Sequence, residues 1–147
     1  TAASSQYYDR VVNLVGSVHV WAWGTRVILY DVGLTVEQAS RVRRLAGVEY
    51  VRLPVEDLPP HFALTGWDHS TYAFKPFALK DALSRVPCYL WMDSGLELRR
   101  PLAWAAEWVA ERGALLVASG WPFPNAWAHP GCLAKLNVTG GGASLAD

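Results

Sequence analysis

The sequence predicts an α/β fold built on a mainly parallel sheet flanked by helices, and three observations carry this expectation. Segments with helical spacing of apolar residues alternate with short apolar runs between residues 9 and 118, the rhythm of successive strand and helix units. The run at 88–92 is apolar on both alternating faces, which suits a central strand covered by helices on both sides. No internal repeat or linker divides the alternation, so residues 1–147 are read as one domain.

The elements follow in order. Val11, Val12, Leu14, Val15 and Val18 lie at helical spacing within 9–20. Residues 26–30 form a β-branched run that ends at Asp31 and read as a buried strand. Thr35 with Gln38 three residues later is a capping-box pattern. It opens a helix to about Ala46, stopped by Gly47 just past its end. The arginines of that helix, Arg41, Arg43 and Arg44, read as a solvated face. Residues 48–53 alternate as a second strand, and 54–71, with three prolines, read as a long loop of the kind that is often functional. Residues 72–86 read as a helix with Phe74, Phe77, Ala78, Ala82, Leu83 and Val86 on one side and Pro76 in its first turn. The strand at 88–92 ends at Asp93-Ser94-Gly95. A helix from Pro101 to Gly113 follows, then a buried strand at 114–118 and an aromatic, proline-rich loop at 119–131.

Composition excludes several classes. AVILMFWYC residues make up 52% and charged residues 18%, too apolar and too weakly charged for a disordered chain. Two cysteines cannot build a disulfide scaffold. With 13 basic and 13 acidic residues the net charge is zero, which gives no footprint for nucleic acid. No stretch reads as a membrane-spanning helix: 113–134 lacks charge but is interrupted by prolines. There is no initiator Met or signal peptide pattern, and Gly140-Gly141-Gly142 has no closing element after it. The expectation is a domain cut from a longer protein, truncated at both ends.

In open α/β sheets ligands bind beyond the carboxyl ends of the strands. Two strands here end in Asp with Gly two residues later, at Asp31 and Asp93. Such carboxylates can hold a ribose or a metal, or they can simply cap a turn. Dinucleotide, Walker A and nucleophile-elbow glycine motifs are absent, as are zinc-ligand spacings among His19, His61, His69, His129, Cys88 and Cys132.

Three segments in this order, Tyr30-Asp31-Val32-Gly33-Leu34, Thr71-Tyr72-Ala73-Phe74-Lys75-Pro76 and Leu90-Trp91-Met92-Asp93-Ser94-Gly95, resemble nucleotide-diphospho-sugar transferases of the GT-A fold. The likeness spans about residues 11–136. It implies a Rossmann-like, GT-A-like nucleotide-binding half, here incomplete. By position Asp93 matches the carboxylate that holds a divalent cation, Mn2+ or Mg2+, against the donor diphosphate, and Ser94 after it could help in that binding. Asp31 resembles the position that faces the nucleoside. Tyr72 and Lys75 match the loop-to-helix motif, where Lys75 could pair with phosphate beside a helix N-terminus. The pattern departs at Gly95, where such enzymes carry a second carboxylate. The acceptor-binding half and catalytic base are expected downstream of Asp147, or the chain does not catalyse.

The resemblance thus implies a glycosyltransferase-like domain that binds a nucleotide-sugar donor and serves an unknown acceptor. Its compartment is open; the secretory lumen or a membrane association would fit a longer transferase. Among the eight tryptophans, Trp104 and Trp108 lie four apart on a helix and read as core, as does Trp91. Trp121, Trp127 and His129 fall in the 119–131 loop and are weak candidates for the acceptor side. The alternatives are a non-catalytic α/β binding module and, more remotely, a phosphatase-like hydrolase built on Asp93.

Overall fold

A computed structural model describes residues 1–54, 57, 72–115 and 130–135. The chain forms two compact units, Thr1–Ala106 and Glu107–Asp147. Among the described residues, the first unit holds a three-stranded, all-parallel sheet in the order β1-β2-β3. The strands are β1 (Ala2–Ala3), β2 (Val27–Asp31) and β3 (Val48–Arg52). The helices are α1 (Tyr8–Trp21), α2 (Val36–Val42), α3 (Lys75–Arg85), α4 (Ala103–Arg112) and α5 (Pro130–Lys135). Helices with a parallel sheet make the chain α/β.

The sheet is built on β2. Its Val27 to Asp31 pair in register with Val48 to Arg52, and its Tyr30 and Asp31 with Ala2 and Ala3. Side chains alternate along β2, as strand geometry requires. Leu29 packs with Val11 and Val15 of α1 and Val42 of α2 on one face. Tyr30 packs with Phe74, Ala78 and Ala82 on the other. The expected helix at 9–20 is α1, whose Val11, Leu14, Val15 and Val18 are buried. Thr35 caps α2 through the reciprocal bonds of a capping box with Gln38.

Small side chains set the approach of α3. Ala78 and Ala82 are its buried residues, and polar ties flank them. The Tyr30 hydroxyl donates to Asp81 at 2.8 Å, and Arg85 pairs with both Asp81 and Glu49. These bonds tie the helix to two strands and so fix where its first residue, Lys75, emerges.

Several expectations change. Ala2–Ala3 is a strand that the pattern did not announce. The segment 88–92, expected as a central strand, is not part of the sheet. It keeps the alternation of a strand without a ladder: Tyr89 and Trp91 pack beside Ala2 and Phe74, whereas Met92 packs beside Leu14 and Val18. The physical reason is that the segment packs beside β1, which offers only two residues of backbone to a further strand.

Helix α2 stops at Val42 rather than near Ala46, because 43–47 tighten into turns that bring Leu45 onto the core. Gly47 still serves the turn, at φ 68°. Helix α3 begins at Lys75, not at residue 72, and Phe77 and Leu83 are exposed. Trp104 and Trp108, expected in the core, are 51% and 40% exposed, and Arg112 stacks over Trp108 at 4.1 Å. Of the expected strand at 114–118, residues 114–115 carry no regular structure and 116–118 lie outside the described residues, as do 55–56 and 58–71 of the expected loop. The loop at 119–131 also lies outside them up to 129; its last two residues open α5. No described helix is long and apolar enough to cross a membrane.

Candidate functional site

The two strand-end aspartates arrive in different environments. Asp31 ends β2 and is buried. Its Oδ1 accepts the backbone N–H groups of Gly33 at 2.8 Å and Leu34 at 2.6 Å, an Asx turn that Gly33 permits with φ 131°. The Tyr50 hydroxyl donates to Oδ2, and Arg52 lies 3.3 Å from Oδ1. Burial opposes the charge on Asp31, but the bonds from Tyr50, Leu34 and Gly33 and the nearby Arg52 outweigh it and hold the carboxyl below its ordinary range. Burial and the same bond push the Tyr50 hydroxyl up. Arg43 covers the Tyr50 ring at 4.1 Å. The carboxylate resembling a nucleoside contact is thus engaged by four donors from its own fold.

Asp93 is more open, with 58% of its side chain exposed. Its carboxylate meets the Lys75 ammonium at 2.8 Å through Oδ1 and at 3.1 Å through Oδ2. The Trp91 indole N–H donates to Oδ1 at 2.8 Å. Burial again opposes the charge, and the bonds from Lys75 and Trp91 still bring this carboxyl below its ordinary range. The ammonium also lies 4.8 Å from the Tyr72 ring centroid and 5.9 Å from that of Trp91, within cation–π reach.

Tyr72 stands at φ 49°, the left-handed region that non-glycine residues rarely occupy. Ser94 is buried in the turn after Asp93, which is closed by the Leu96 N–H on the Asp93 carbonyl at 2.9 Å. A Cβ built on Gly95 would lie 3.9 Å from Nη1 of Arg10. This turn therefore lies beside α1, which starts just beyond the carboxyl end of β1.

Tyr72, Lys75 and Asp93 thus come together, with Ser94 adjoining. Asp31 belongs to a separate network and shares no partner with Asp93 among the described residues. Trp121, Trp127 and His129 lie outside the described residues. Two further residues adjoin the site. Trp91, expected in the core, does pack beside Ala2 and Phe74 and also bonds Asp93; its place two residues earlier, at the strand period, puts both side chains on one side. Arg10, on the first turns of α1, had no signal beyond its charge.

Among the described residues, the donor set is poor for a divalent cation. Even an ion that completes its shell with phosphate and water oxygens keeps one or two protein carboxylates, and Asp93, the carboxylate described here, already faces an ammonium. Among the described residues, no three His, Cys, Asp or Glu side chains converge to hold an ion. The α3 N-terminus also offers less than its sequence suggested. Pro76 has no N–H, and those of Lys75, Phe77 and Ala78 are bonded to Tyr72 and Phe74 carbonyls. An anion would meet the Lys75 side chain rather than backbone donors. No family model, curated protein or solved structure matches the chain.

Proposed function

We propose that this chain is a glycosyltransferase-like domain that binds the diphosphate of a nucleotide-sugar donor beside Tyr72, Lys75 and Asp93 and passes the sugar to an acceptor. The observation that carries this reading is the 2.8 Å pairing of Lys75 with Asp93. It joins two of the three segments on which the resemblance rests, although they are 18 positions apart in the chain. A cation held by a carboxylate and two aromatic rings suits a phosphate oxygen, because a charge-assisted hydrogen bond is stronger than a neutral one.

The test is the melting temperature of the chain with UDP and with GDP, each with and without manganese, followed by the release of nucleoside diphosphate from the corresponding sugar nucleotides. A rise in melting temperature with either nucleotide supports donor binding; no rise under any of the four conditions rejects it.

One observation favours a second reading, a binding module without turnover. An aspartate engaged by an ammonium is not positioned as a base. Nucleotide binding with no release of nucleoside diphosphate in the presence of simple sugar acceptors would select this second reading.

A further inference from the structure

We propose that Lys75 is the resident cation of this site, so that a nucleoside diphosphate binds without a divalent metal. The inference rests on the nucleotide-binding reading above and concerns what neutralises the diphosphate there.

The ammonium lies where a metal ion would have to ligate Asp93, against both carboxylate oxygens at 2.8 and 3.1 Å. A divalent ion would have to displace it and would then find, among the described residues, one protein carboxylate. The position of a second carboxylate is Gly95, and the nearest side-chain atom to its missing Cβ is a guanidinium nitrogen of Arg10, at 3.9 Å. That neighbour repels a metal ion and attracts phosphate.

The ammonium is held in place. Asp93 Oδ2 accepts one of its N–H groups and Oδ1 lies at ion-pair distance, and the Tyr72 and Trp91 rings lie at 4.8 and 5.9 Å. Three donors sit on an ammonium, so donor capacity remains for an anion. The left-handed backbone of Tyr72 costs about 1–2 kcal/mol, and strain of this kind collects at ligand clamps. Here it sets a ring beside the Lys75 ammonium.

Charge balance points the same way. Among the described residues, Lys75 and Arg10 against Asp93 leave a net positive charge, and the backbone donors of the first α3 turn are already used. Neutralisation of a diphosphate therefore falls to side chains, and Lys75 is the one fixed in place.

The experiment measures the affinity of the full chain for UDP and for GDP in EDTA and in excess manganese, with K75Q, K75R and D93N alongside. Equal affinity in the two buffers is expected. K75Q should weaken binding about tenfold or more, and K75R, which keeps the charge, should lose less. D93N keeps the ammonium, so its binding should persist in EDTA and stay indifferent to manganese. A metal ligand at position 93 predicts instead that manganese strengthens binding to the parent chain and not to D93N. Binding that requires manganese, or K75Q binding as tightly as the parent, overturns this proposal and leaves the nucleotide reading standing. No binding in either buffer overturns both.

Discussion

Asp31 and Asp93 share a local signature, an apolar run, then Asp, then Gly two residues on, and yet they serve different ends. Asp31 is buried and supplies acceptors to Gly33, Leu34, Tyr50 and Arg52. Asp31→Ala would leave those donors without their acceptor, at a cost of about 2–3 kcal/mol, read by urea denaturation; Tyr50→Phe removes one bond and should cost about 1 kcal/mol. The carboxyl of Asp31 is held below its unfolded value. Its stabilising contribution is therefore complete above the unfolded value, about pH 4, and is lost as pH falls from there through the folded value. Asp31→Asn should flatten the acid limb of stability against pH; an unchanged limb would assign the acid sensitivity to other groups. Asp93 is mostly exposed, and Asp93→Asn should change stability by less than about 1 kcal/mol. The sequence marks both as strand-end carboxylates. It does not say which one the fold will saturate, because Tyr50 and Arg52 reach Asp31 from a different strand.

At the level of elements, several are specified by local pattern. Apolar spacing located α1, the β-branched run located β2, and Thr35 with Gln38 located the start of α2. Thr35→Ala breaks both halves of that capping box and should cost about 1 kcal/mol, seen as a lower urea midpoint with an unchanged slope. The approach of α3 depends on Ala78, which is fully buried against the sheet. Ala78→Leu should destabilise by about 1–3 kcal/mol through overpacking and should also disturb Lys75 three residues earlier; a fully stable variant would show that α3 has room to shift. The element that could not be read was 88–92. A period of two reports which sides of a segment are covered, and that part holds: Tyr89 and Trp91 pack one way and Met92 the other. It does not report whether a backbone partner lies alongside.

On the scale of the whole molecule, the first unit is organised around β2, whose Leu29 and Tyr30 are almost fully buried on opposite faces. Leu29→Ala leaves a cavity between the sheet, α1 and α2 and should cost about 3 kcal/mol, a large share of the 5–15 kcal/mol typical of a domain; a loss below about 1 kcal/mol would show that this face collapses around the gap. The zero net charge of the chain places any anion recognition in a local cluster rather than in a long-range field. Apolar spacing, capping residues and turn glycines were enough for the α/β class and the approximate bounds of α1, β2 and β3, because each depends on neighbours within one or two turns of chain. Tertiary structure alone decided that Ala2–Ala3 supplies the third strand, that 88–92 stays outside the ladder, and that Lys75 meets Asp93. These outcomes depend on which backbone edges are free and on where segments far apart in the chain meet, and no local pattern of side chains encodes either.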